Sequence, residues 1–226
     1  MNKTILNLGL WSAIICLASF VVWIISFTGI ALSSPLFYWT NLEDYINYVN
    51  TNNQFFQYLA KSFMIVFSLS YMLLTFVFNE FIVVQRQILS KIAIAFSIMF
   101  ALVTTVHYFV QVSAVRFAIS ENEYSGLENF IQAKPTSVLS SINMLGWTLF
   151  LGLSSLFIYI GLKPKSLTKG VRLGLLINAI SCILALFGYL FQIDLITFVF
   201  INLGVGGAVF LMTISASIYF VKQKQK

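Results

Sequence analysis

Apolar positions in this chain neither alternate nor recur on one helical face. They run on for about twenty residues or more, six times over, at about Leu6–Leu32, Phe63–Val83, Ile92–Val115, Val138–Leu162, Leu173–Phe191 and Ile196–Val221. A helix needs roughly 20 mainly apolar residues to cross about 30 Å of hydrocarbon. Barrel strands would be about 10 residues long and strictly alternating. Pro35, Pro135 and Pro164 all fall between the runs, where a missing N–H costs least. The pattern predicts an all-α polytopic bundle of six transmembrane helices, one unit over residues 1–226.

Two intervening segments carry patterns of their own. In Ser33–Ser62 the aromatic residues Phe37, Tyr38, Trp39, Tyr45, Tyr48, Phe55, Phe56 and Tyr58 crowd together. Asn41 is a helix cap, Glu43 and Asp44 sit in the positive first turn, and Leu42, Tyr45, Ile46 and Val49 share a face. This predicts a short amphipathic helix lying along the membrane interface. The second segment has the capping-box pattern Ser125 to Glu128, then Leu127, Phe130 and Ile131 on one side, and ends at Lys134-Pro135. A second short helix is expected there.

Composition narrows the class. Apolar residues are 59 % of the chain and charged residues 9 %, against about 25 % charged in soluble domains. That excludes a soluble enzyme, a secreted disulfide scaffold and a disordered chain. Cys16 and Cys182 fall inside apolar runs and read as small buried residues.

Charge then sets the orientation. Lys3, Arg86, Lys91, Lys163, Lys165, Lys169, Arg172, Lys222, Lys224 and Lys226, ten of the thirteen basic residues, fall on one side. Six of the seven acids fall on the other, with Lys61, Arg116 and Lys134. The positive-inside rule predicts both termini in the cytoplasm. The net charge of +6 is thereby a topology signal, and nucleic acid is not an expected partner. Ala31-Leu32-Ser33 resembles a signal cleavage site. The apolar run before it far exceeds the 7–15 residues of a signal h-region, so it is kept as the first span.

Polar groups inside hydrocarbon usually face the bundle interior. Ser97, Ala101, Thr104, His107 and Gln111 share one face of the third run; Ser140, Asn143 and Trp147 do so in the fourth, and Asn202 and Gly206 in the sixth. Ser68, Tyr71, Thr75 and Asn79 form a stripe in the second. By rise per residue, His107, Gln111, Asn143 and Asn202 lie within about 5–15 Å of the outer surface. Thr104, His107, Gln111, Asn143, Trp147 and Asn202 are therefore the candidate ligand-binding residues. They would surround an outward-facing pocket with Trp147 as floor, Arg116, Gln192 and Asp194 as rim, and the Tyr45/Tyr48 helix over the mouth. The rival reading is that these groups only join helices to one another. Gly204, Gly206, Gly207 and Ala208 suit close helix packing.

Signatures of catalysis are missing: no HExxH, GxSxG, P-loop or CxxC occurs. A single histidine supplies neither a bis-histidine haem nor a histidine-rich zinc site, so no cofactor, metal or catalytic residue is assigned. Glu80, near the cytoplasmic end of the second run, reads as an interfacial carboxylate.

The six-run plan, the stretch Leu145-Gly-Trp-Thr-Leu-Phe-Leu-Gly152, the basic Lys163–Arg172 segment and Leu173-Gly-Leu-Leu together resemble bacterial multi-pass membrane proteins of unknown function. The resemblance implies the topology and a prokaryotic inner membrane, and brings no activity. Three functions stay open at this point. One is binding of a small molecule or lipid, as a transporter or receptor. Another is service as a non-catalytic partner or scaffold in a membrane complex. The third is an intramembrane enzyme using His107. The partners expected are membrane lipids, such a ligand, or a second membrane protein.

Overall fold

The computed structural model describes residues 2–34, 39–164 and 166–225; Pro35, Phe37, Tyr38, Lys165 and Lys226 lie outside the described residues. The architecture is all-helical. Six helices are long and apolar enough to cross a membrane, as befits a multi-pass membrane protein: spans 1 to 6 are Lys3–Ser33, Phe55–Phe81, Val84–Glu121, Val138–Gly161, Lys169–Leu190 and Asp194–Lys224. Side chains start several of them by accepting a first-turn N–H: Asn2 from Thr4 at 3.0 Å, Ser137 from Ser140 at 3.5 Å and Thr168 from Val171 at 3.4 Å.

Each span packs on its neighbours in the chain, and span 6 returns to span 1. The spans thus form a closed ring in chain order. One end of the ring, the terminal face, holds both described ends of the chain. The other, the loop face, holds the helix Leu42–Thr51, capped by Asn41, which accepts from the Asp44 N–H at 2.8 Å.

The terminal half is dense and regular. Phe78, Ile158, Val171, Leu175, Met212 and Phe220 fill it with almost no exposure. Glycine lets its helices approach closely. A Cβ on Gly174 would lie 2.9 Å from the Ala208 carbonyl, one on Gly9 would lie 2.6 Å from the Phe220 ring, and one on Gly152 would lie 2.7 Å from the Cys182 Cβ. Deeper in the ring, Asn178 donates to Ser155 at 2.7 Å and the Tyr71 hydroxyl pairs with the same oxygen at 2.9 Å, joining spans 2, 4 and 5. At the terminal face an antiparallel bridge, Ile82 to Leu162, ties two connections together through Val83 N–H to Gly161 O at 3.0 Å and Lys163 N–H to Phe81 O at 2.9 Å.

The loop face has its own hydrophobic cluster: Trp39, Tyr45, Tyr48, Val115, Ile119, Leu127 and Ile131. Span 3 supplies its wall. With 38 residues that span is about 57 Å long, so its last turns stand clear of the ring. Here the structure departs from the sequence expectation. Residues 125–131 form only one 3-10 turn, Leu127–Asn129, and Ser125 caps nothing. The reason is competition for carbonyls. Those of Asn129, Phe130, Ile131 and Gln132 accept instead from Ser137 Oγ at 2.8 Å, from Gln111 Nε2, from Ser140 Oγ at 3.1 Å and from Trp39 Nε1 at 2.6 Å. Acceptors taken by side chains are withdrawn from a helical ladder, and Gly126, at φ +75°, turns the chain out of it.

Candidate functional site

Spans 3, 4 and 6 each widen into a π-helical segment in the half nearer the loop face: Gln111–Val115, Gly146–Phe150 and Val199–Val205. In a π turn the N–H reaches back five residues, so a carbonyl four residues back loses its usual donor. Each segment also carries a side chain that donates to a carbonyl four residues back. Ser113 Oγ donates to Phe109 O at 2.6 Å, Thr148 Oγ1 to Met144 O at 2.7 Å, and Asn202 Nδ2 to Phe198 O at 2.9 Å.

At this level the ring encloses a cavity of about 50 Å³. Its lining comes from spans 1, 2, 3, 4 and 6 and includes Phe20, Trp23, Phe67, Tyr108, Trp147 and Val205. Phe67 and Trp147 stack with their ring centroids 5.8 Å apart. A drug-sized ligand needs roughly 300–1,000 Å³. This space suits something slender and apolar, such as the end of an acyl chain.

Of the six residues expected to surround a pocket, Trp147 lines this cavity, and the polar ones are placed differently. His107 is buried, and its Nδ1–H donates to the Leu139 carbonyl at 3.1 Å. Gln111 is buried and docks the segment after Leu127 through the Phe130 carbonyl. Asn202 is half-buried and serves its own π segment. Thr104 is fully buried beside Gly146, its Oγ1 without a protein partner. Asn143 and Trp147 face the Tyr108 hydroxyl together, with Asn143 Oδ1 unpartnered. The physical reason is acceptor supply: irregular backbone at the loop face offers carbonyls at hydrogen-bond distance, and polar side chains at that depth take them. Of the expected rim, Gln192 and Asp194 are exposed in the tight connection between spans 5 and 6, and Arg116 lies over the Tyr58 ring at 5.2 Å. Tyr45 and Tyr48 are buried in the loop-face cluster.

A residue that spacing did not single out completes the region. Span 2 begins at Phe55, earlier than its unbroken apolar run, and this carries Lys61 into the helix. Lys61 is only 4 % exposed. It lies one turn towards the loop face from Met64, a cavity-lining residue on the same buried side of span 2. Its Nζ is 5.4 Å from the centre of the Tyr58 ring. No carboxylate pairs with it among the described residues. The signal in the sequence was the aromatic lead-in of Phe55, Phe56 and Tyr58, which extends the helix past the lysine.

Around this level Ser26 Oγ, Thr104 Oγ1, Gln111 Oε1 and Asn143 Oδ1 are all buried without a protein partner. No group of three or more His, Cys, Asp or Glu side chains that could hold a metal occurs among the described residues. No protein-family model matches the chain, and neither a curated protein nor a solved structure does.

Proposed function

We propose that the protein binds an acidic amphiphile, a molecule with a carboxylate or phosphate head and a slender apolar chain. The chain end occupies the aromatic cavity of the ring and the head meets Lys61. We place both termini in the cytoplasm by the distribution of basic residues, so that the binding region opens towards the outer side of a prokaryotic plasma membrane. The observation that carries the proposal is Lys61, buried without an anionic partner one turn from the cavity. Holding the proton on a buried lysine that has no counter-charge costs free energy, and an acidic ligand relieves that cost. The unpartnered oxygens nearby supply further sites for the head group or its water.

Quenching of tryptophan fluorescence by a brominated fatty acid tests this, because Trp23 and Trp147 line the cavity. Trp11 is 59 % exposed and would report surrounding lipid, so the measurement uses a Trp11→Phe background. Saturable quenching is expected. Lys61→Met should weaken it about 10- to 100-fold, the range for a hydrogen bond to a charged group. Val205→Phe should weaken it by filling the space. Quenching that never saturates and ignores both substitutions overturns the proposal.

A further inference from the structure

A second site stands apart from that cavity, on the terminal face. The bridge between Ile82 and Leu162 brings the connection of spans 2 and 3 beside that of spans 4 and 5. Next to it lies a recess of about 420 Å³ lined by Val83, Arg86, Tyr159, Leu162 and Arg172 among others. Both arginines are steered into place by the backbone. Arg86 Nη1 donates to the Ile160 carbonyl at 2.6 Å, and Arg172 Nη1 to the Lys163 carbonyl at 3.1 Å. Arg172 also rests its guanidinium over the Tyr159 ring, 5.7 Å from its centre.

A guanidinium has five N–H donors in a planar fork, so one bond to a carbonyl leaves most of each fork unused. Neither arginine has an anionic partner among the described residues. Glu80 is the sole acid of this face in the sequence, against ten basic residues. The recess thus holds two oriented forks and no counter-charge. Beside it Val84, Ile88 and Leu173 are exposed and apolar, at the ends of spans 3 and 5. Forked donors match the paired oxygens of a phosphate, and the adjoining apolar surface matches acyl chains.

We propose that this recess binds a phosphate group, Arg86 and Arg172 gripping its oxygens, as carried by the head of an anionic lipid in the adjacent leaflet. Basic recesses between membrane helices are suited to such heads, and each basic residue in contact with the head strengthens binding about fivefold. The pair then contributes about thirtyfold.

The test is native mass spectrometry and thermal melting of the full chain in neutral detergent. It is titrated separately with phosphatidylglycerol, phosphatidylcholine and inorganic phosphate. Phosphatidylglycerol should be retained and should raise the melting temperature, and phosphatidylcholine should do neither. Arg86→Gln combined with Arg172→Gln should weaken phosphatidylglycerol about thirtyfold. Each variant's melting shift is read against its own lipid-free value, so a loss of stability is not mistaken for a loss of binding. Lys222→Gln combined with Lys224→Gln, on the same face outside the recess, should leave binding unchanged. If inorganic phosphate binds as tightly as the lipid with the same arginine dependence, the phosphate site stands and its occupant is the free ion. If the arginine pair matters no more than the lysine pair, or not at all, the proposal fails.

Discussion

The two ends of the ring solve the same problem in different ways. In the terminal half, glycine brings the helices together and apolar side chains fill the space between them, while the Phe81, Ile160 and Gly161 carbonyls are bonded across the connections. Near the loop face, three helices loosen into π turns and one segment forgoes helix altogether. Side chains bond the carbonyls of the non-helical segment, Gln111 to Phe130 and Trp39 to Gln132, and His107 and Thr148 bond those of Leu139 and Met144 in span 4. The lesson is that close glycine contacts and side-chain bonds to carbonyls serve side by side in one bundle, in different proportions at its two ends. Towards the terminal face apolar side chains fill the interior around Gly9, Gly152 and Gly174; towards the loop face the cavity lies beside glycine contacts of its own, at Gly146 and Gly206.

The comparison breaks most decisively at Gly174. A side chain there meets the Ala208 carbonyl and Met212, and backbone cannot step aside. Gly174→Leu should cost about 3 kcal/mol or more and lower the melting temperature in detergent by roughly 5–10 °C. Gly207 is the control, since a Cβ there meets nothing within 4 Å. Gly207→Leu should stay within about 2 °C of wild type. Equal melting of the two variants would mean that close packing is not what holds the terminal half.

At the loop face the sensitive residue is Gln111. Gln111→Ala removes the bond that ties the Phe130 carbonyl to span 3, at a cost of about 1 kcal/mol. That loss should stay local. Amide exchange at residues 127–132 should rise several-fold, and amides in the middle of spans 2 and 5 should not change. Uniform acceleration would show the two halves unfolding as one.

The smallest effect is a matter of pH. Burial raises the Tyr45 hydroxyl above its ordinary value of 10.0. In the unfolded loop it ionises near that value, and in the folded cluster it stays neutral. The stability it contributes is therefore whole below about pH 10 and declines as pH rises, by up to about 1.4 kcal/mol per unit. Protease cleavage within Leu42–Thr51 should accelerate above pH 10 in the wild type and less so in Tyr45→Phe.

The six spans could be read from the sequence because a membrane imposes length and apolarity directly. The Asn41 cap could also be read, because a cap depends on nearest neighbours. The role of His107 and Gln111 could not. Periodicity places them on the inner face of span 3, and it says nothing about whether the acceptor there is a ligand or a stranded carbonyl. Lys61 was hidden by its charge, which ends an apolar run on paper although the helix continues through it. The π segments leave only a faint mark: a short donor such as Ser113, Thr148 or Asn202 standing alone in an apolar stretch, which reads equally well as a pocket residue.

Because the ring follows chain order, its assembly has a natural sequence in time. Spans 2 to 5 each find their predecessor waiting as they leave the ribosome. Span 6 then packs on span 5 and also closes the one joint between non-consecutive spans, when Phe220 seats on Gly9 and Phe20 comes to lie against Gly206. Phe20 and Gly206 also bound the cavity, so that cavity comes into being only at closure. The joint that closes last is also the one joint whose opening would unroof the cavity without breaking a connection between consecutive spans.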